Sequence, residues 1–175
     1  MAQKWRVPRS TSNRNISALD ADSLGRLALR YVERYATTRA KLARYLDRKV
    51  RQRGWSGADS PPIMAIVEKM AGFGFVDDRQ FASMRAAALT RRGYGNRRID
   101  ADLRSAGISD DDIADTVEED AEAMHDAALL FARKKRIGPF SEKQFDDAAR
   151  RRAFAAMVRA GHPIEIIRQI LSSTK

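Results

Sequence analysis

Apolar residues recur three and four positions apart along almost the whole chain, and no stretch alternates with a period of two. The pattern predicts helices throughout. Leu24, Leu27, Ala28, Tyr31 and Tyr35 mark a first helix, Leu42, Leu46 and Val50 a second, and Ile63, Ile66, Val67 and Met70 a third. Phe81, Met84, Ala88 and Leu89 outline a fourth, Ile99, Leu103 and Ala106 a fifth, and Ile113 and Val117 fall on a sixth. Met124, Ala128, Phe131 and Lys135 trace a seventh, Phe145, Ala149, Ala153, Ala156 and Met157 an eighth, and Ile164, Ile167, Ile170 and Leu171 a last.

The polar residues between these stripes read as helix starts and stops. Ser60 followed by Pro61 suits a first helical position, where proline has no amide hydrogen to waste. Asp77 with Gln80, and Ser141 with Gln144, have the spacing of a capping box. Asn96 and Ser109 are further candidate caps, and Gly72, Gly93, Gly107 and Gly161 are candidate stops. Asp110, Asp111 and Asp112 then fall in a first turn, where the helix dipole favours negative charge. Both acidic clusters of the central stretch are thereby explained without a metal.

The nine elements group in threes. A shift of 57 residues lays Leu24 on Phe81, Leu42 on Ile99 and Leu46 on Leu103. A shift of 54 lays Leu103 on Met157, Gly107 on Gly161 and Ile113 on Ile167. The first unit needs an insertion of ten residues to stay in step, and the loop GWSGADSPP supplies it. The expected fold is all-α: an elongated, curved array of three tandem three-helix units. The units are placed at 18–72, 73–119 and 120–175, behind a basic flexible tail at 1–17.

Composition narrows the class. The chain has 175 residues, 43% hydrophobic and 32% charged, enough for a core but not a large one. There is no cysteine, so neither a disulfide framework nor a thiolate metal site can form. No run of 18 apolar residues occurs and no apolar segment follows the basic N-terminus. A cytoplasmic protein without membrane contact is expected. The net charge of +10 is uneven: residues 1–59 carry 14 Lys/Arg against 5 Asp/Glu, whereas residues 60–117 carry 8 against 9. That asymmetry suggests an acidic partner, most often nucleic acid or a nucleoprotein.

Catalytic constellations are not found. His125 and His162 have no nearby nucleophile, and GYGNRR lacks phosphate-loop spacing. No cofactor and no enzymatic activity are expected. What remains is basic surface in each unit: Arg39, Lys41, Arg44 and Arg48 in the first; Arg91, Arg92, Arg97, Arg98 and Arg104 in the second; Lys134, Lys135, Arg136, Arg150, Arg151 and Arg152 in the third. These are the candidate contacts to partner or nucleic acid. Aromatic residues are 7% of the chain, with Trp5, Trp55 and Tyr94 in loops and most others on core-facing positions. The segment after LRSAGI has helix-turn-helix spacing, but its second helix is acidic and unsuited to facing phosphates.

The stretch GFVDDRQFASMRAAALTRRGYGNRRIDADLRSAGISDDDI resembles the signature of the RecX regulators of the RecA recombinase. Asp77, Asp78, Phe81, Ala82, Gly93, Gly95, Arg98, Ile99, Leu103, Gly107, Ile108 and Ile113 carry it. The first repeat, ALRYVERYATTRAKLARYLDRK, is similar to that family's first unit, with Thr38-Arg39-Ala40 in place of its usual Arg-Ser-Glu. The third matches more loosely, with His162 where the family tends to have an aromatic. The resemblance spans roughly residues 18–172. It implies a non-enzymatic modulator that lies in the groove of the RecA filament on single-stranded DNA; a monomer is expected. Such a modulator restrains ATPase, strand-exchange and co-protease activities and so regulates repair and the SOS response; free DNA is expected to bind weakly. A general basic helical DNA-binding protein is the alternative.

Overall fold

The computed structural model describes residues 17–117, 120–141 and 146–172. Among them the chain is helical, with one isolated parallel bridge between Leu19 and Trp55. The helices are α1 (Ala21–Val32), α2 (Arg39–Arg53), α3 (Ile63–Gly72), α4 (Asp78–Thr90), α5 (Asn96–Ala106), α6 (Asp110–Thr116), α7 (Ala121–Lys135), α8 (Asp147–Arg159) and α9 (Ile164–Ser172). A short 3-10 turn, Gly138–Phe140, precedes α8. The tail expected at 1–17 and its Trp5 lie, residue 17 excepted, outside the described residues.

Three separate cores hold these helices. Leu24, Ala28, Leu42, Leu46, Val67 and Met70 pack α1, α2 and α3 together. Ala82, Ala86, Leu89, Ile99, Leu103, Ala106 and Ile113 do the same for α4, α5 and α6. Ala128, Phe131, Ala153, Met157, Ile167, Ile170 and Leu171 join α7, α8 and α9. A stripe at helical spacing can hide only one face, so three short helices enclose each core between them.

Several boundaries differ from the expected ones. Helix α3 begins at Ile63, because Ser60 and Pro61 each precede a proline and are driven out of the helical region. Gly72 stays helical, and the left-handed exit falls at Gly74, where the Phe75 amide returns to the Met70 carbonyl at 3.0 Å. Asp77 does cap α4, accepting the Gln80 amide at 2.9 Å, but only that half of the box forms. Gly95 rather than Asn96 precedes α5. Ser109 caps α6 and Gly107 ends α5 in the left-handed conformation, as expected. Helix α8 starts at Asp147: the Asp146 carboxylate accepts the Ala149 amide at 2.6 Å and fixes the start there. Gln144 and Phe145 lie outside the described residues.

Two apolar stripes also differ from the expected ones. On α4 the buried residues are Ala82, Ala86 and Leu89, while Met84 is 55% exposed. Small side chains let α4 approach α5 and α6 closely, which turns the longer Met84 outward. Helix α1 ends at Val32, so Tyr35 falls past it and is 49% exposed, whereas Tyr31 is half-buried against the first core.

Candidate functional site

The units meet end to end through their middle helices. At the first joint the N-terminus of α2 abuts the C-terminus of α5. The Thr38 hydroxyl donates to the Ala106 carbonyl at 2.6 Å, fully buried. The Arg44 guanidinium donates to the Ser105 carbonyl at 3.1 Å and to the Ala106 carbonyl at 3.4 Å. The second joint repeats the scheme one unit on: the N-terminus of α5 abuts the C-terminus of α8, and the Gly95 amide donates to the Ala160 carbonyl at 2.9 Å. In both joints the donor-rich, positive end of one helix meets the acceptor-rich, negative end of the next. Carbonyls that a helix end leaves orphaned are satisfied by the neighbouring unit.

The second joint brings two backbones together. A Cβ built on Gly95 lies 2.5 Å from the Gly161 carbonyl carbon and 2.8 Å from the His162 nitrogen. Gly161 adopts φ +90, and a Cβ there lies 2.7 Å from that of Arg98. His162 is buried, with Nε2 3.1 Å from the Gly93 carbonyl oxygen and its ring beside Phe131. Nε2 therefore carries the proton, and Nδ1 is buried with no partner. Burial pushes the pKa of His162 down, and the Gly93 carbonyl partly opposes that. The glycines read from sequence as helix stops thus also act as inter-unit contacts.

The acidic clusters begin helices and do more. Asp112 accepts from Arg79 at 2.9 Å and from the Ser109 hydroxyl at 2.8 Å, and Ser109 first, then Arg79, hold its carboxyl below the usual range. Arg85 grips Asp102 through two hydrogen bonds of 2.6 and 2.9 Å, which lower the Asp102 pKa and tie α4 to α5. Asp78 accepts the Arg39 amide at 2.9 Å across the first joint. Among the described residues no cluster of three His, Asp or Glu side chains is placed to hold a metal ion.

The basic candidates divide into those tied up within the fold and those left facing solvent. Arg39 reaches Glu68 at 3.4 Å and Asp78 at 3.7 Å. Lys41 sits 4.4 Å above the Phe81 ring, and burial, helped by Arg85, lowers its pKa. Arg44 is committed to α5 as described. Arg104 pairs with Asp110 at 2.8 Å, so α5 is braced against the start of α6. Lys134 donates to the Arg91 carbonyl at 2.9 Å across the second joint, and Arg150 to the Leu171 carbonyl at 3.2 Å. Arg136 ends α7 in the left-handed conformation and also has a partner. By contrast Arg48, Arg91, Arg92, Arg97, Arg98, Lys135, Arg151 and Arg152 are exposed and make no salt bridge among the described residues. Arg92 lies over the Tyr94 ring and Arg48 over the Tyr45 ring.

Of the loop aromatics, Trp55 packs on the first core and donates its indole N–H to the Asp59 carbonyl at 2.6 Å. Tyr94 packs against both the second and third cores. Both are half-buried. The sequence reading missed Arg30 in the last turn of α1 and Arg34 just after it, which lie near the exposed Tyr35. The signal was present in two parallel spacings: Tyr31-x-x-Arg34-Tyr35, running off the end of α1, and Tyr45-x-x-Arg48-Lys49 within α2.

Among the described residues the chain is thus a row of joined three-helix units, in which Asp20, Asp77, Asp120 and Asp146 cap helices, Asp47, Asp102, Asp110 and Asp112 pair with arginines, and a set of cations faces solvent. The description "RecX, second three-helix domain" matches residues 77–117. The regulatory protein RecX of Myxococcus xanthus strain DK1622 is 34% identical over 157 residues, 83% of this chain and 82% of that protein. The regulatory protein RecX of Mycobacterium sp. strain JLS is 31% identical over 137 residues, 75% of this chain and 73% of that one. The crystal structure of RecX from Lactobacillus salivarius superposes with a TM-score of 0.63 at 17% identity, over 91% of this chain and 96% of that one, and so shares the fold. The chain belongs to the RecX family of regulatory proteins.

Proposed function

We propose that the chain binds the RecA filament on single-stranded DNA along its helical groove and restrains the filament's ATPase, recombinase and co-protease activities. In this way it acts as a monomeric cytoplasmic regulator of DNA repair and the SOS response. The three units at 18–72, 73–119 and 120–175 serve as successive contact points. The observation that carries the reading is the recurrence of uncommitted cations in every unit: Arg48 in the first, Arg91, Arg92, Arg97 and Arg98 in the second, Lys135, Arg151 and Arg152 in the third. Contacts spread along one array of joined units add through effective concentration, although each is weak alone. Occupying the groove excludes a second duplex or a cleavable repressor from it.

Co-sedimentation with RecA assembled on single-stranded DNA, against DNA alone, tests the reading. Filament must be preferred at about 0.15 M salt, where phosphate-only binding has weakened steeply. Equal affinity for naked DNA would favour a general DNA-binding protein instead. Arg97→Ala with Arg98→Ala is expected to lower filament affinity with little loss of stability, since both side chains are exposed and neither makes a salt bridge among the described residues. Arg104→Ala alone should leave affinity nearly intact, because its guanidinium is held by Asp110.

A further inference from the structure

Between α1 and α2, on the first unit, lies an open cleft of about 510 Å³. Tyrosines 31, 35 and 45 form its aromatic wall: Tyr31 stacks on Tyr45 at 4.2 Å with 20° between the rings, and Tyr35 leans on Tyr31 at 5.2 Å. Arg30, Arg34, Arg48 and Lys49 also line it, and no carboxylate does. The nearby Asp47 is engaged by Arg51. Three of the cations are held at ring faces: Arg34 lies 5.7 Å from the Tyr35 centroid, and Arg48 and Lys49 each lie 5.7 Å from that of Tyr45. The rings therefore position the charges, and Tyr35, about half exposed, presents aromatic surface to the cleft.

We propose that this cleft is a binding site for single-stranded nucleic acid, in which Tyr35 stacks on a base while Arg30, Arg34, Arg48 and Lys49 contact the flanking phosphates. The physical case is the combination. Cations alone suit any polyanion, including an acidic polypeptide. A tyrosine face beside them suits a planar base, whose stacking is tolerant of sequence. Arginine and lysine from α1, its exit and α2, gathered around tyrosine rings, match a phosphate backbone that passes beside a splayed base. The proposal deepens the filament reading and rests on it for the source of the strand, but a bare oligonucleotide tests the cleft separately.

The test is fluorescence anisotropy of a labelled oligothymidylate of about 20 nucleotides, long enough to exceed a single site, titrated with the full chain. Tyr35→Ala is expected to weaken binding about 5- to 150-fold, the loss of one stacked base, with no change in salt dependence. Tyr35→Phe keeps the ring and should bind as the unaltered chain does. The pair Arg34→Gln and Arg48→Gln should instead reduce the slope of log affinity on log salt by about 1.4, two single-strand phosphate contacts. Far-ultraviolet dichroism checks that each variant stays folded. If Tyr35→Ala binds like the unaltered chain, or polyglutamate displaces the oligonucleotide as well as unlabelled oligothymidylate does, the proposal is overturned, and the second result assigns the cleft to acidic polypeptide. The two readings fail differently. Filament binding together with an indifferent Tyr35→Ala discards the cleft, and a ring-dependent oligonucleotide affinity without any filament binding discards the RecA partner.

Discussion

Gly95→Ala separates the two roles that a glycine can have here. Gly95 lies in ordinary extended backbone ahead of α5, so alanine meets no conformational penalty there. The obstacle is the neighbouring unit, whose Gly161 carbonyl carbon lies 2.5 Å and whose His162 nitrogen lies 2.8 Å from the added methyl. Both are backbone atoms that no rotamer change can remove, so the second and third units must move apart. That movement breaks the Gly95 amide bond to Ala160 (2.9 Å) and loosens the His162 contact to Gly93 (3.1 Å). Each buried polar group left unpaired costs about 1–3 kcal/mol, and the stiffer unfolded chain offsets about 0.4–1 kcal/mol. A net loss of about 1–5 kcal/mol is expected. Gly25→Ala is the control: that position lies inside α1 with no atom within 4 Å of the new methyl, and stability should rise by up to about 1 kcal/mol. Urea unfolding followed by dichroism gives both values, and amide exchange at Gly95 and His162 shows whether the joint itself has opened. A Gly95→Ala chain that unfolds with the unaltered one, its joint amides still protected, would refute the close-approach argument.

His162 makes stability depend on pH. Its pKa is lowered in the folded chain, so folding resists the proton that the unfolded chain accepts near the ordinary histidine value of 6.5. Stability is full above that value and falls as pH drops through it, by up to about 1.4 kcal/mol per pH unit. His162→Gln should flatten the curve between pH 7.5 and 5.5 in urea titrations, and parallel curves would count against the buried neutral ring. Asp77→Ala removes the carboxylate that accepts the Gln80 amide, and should cost about 0.5–2 kcal/mol. A melting temperature unchanged by that substitution would mean that the start of α4 is held by something other than its cap.

How much was legible in advance can be followed along the central stretch. Asp77, Ser109 and Gly107 act within a few residues of their own position, and their roles follow from local spacing. Gly95 and His162 depend on an adjoining unit about 65 residues away in sequence, and nothing local distinguishes a helix stop from a contact surface. The charge candidates divide in the same way. Arg97 and Arg44 are alike as residues of a basic run. Arg44 meets the open carbonyl end of α5, whereas Arg97 meets solvent. Periodicity places Tyr31 and Tyr35 on the apolar stripe of the first helix, but the helix ends at Val32, and a residue past that end is turned inward or outward by what it packs against.

The sequence by itself determined that this protein is helical, that its helices come in three related groups, and that its aspartate clusters open helices. Period, cap and repeat are all written in neighbouring residues. Tertiary structure alone decided which cations are neutralised, which glycines are pressed against another backbone, and where tyrosine and arginine from two helices face a common cleft. Those properties arise from groups far apart in the chain, and their distances are fixed only when the helix ends of one unit find the unpaired carbonyls of the next.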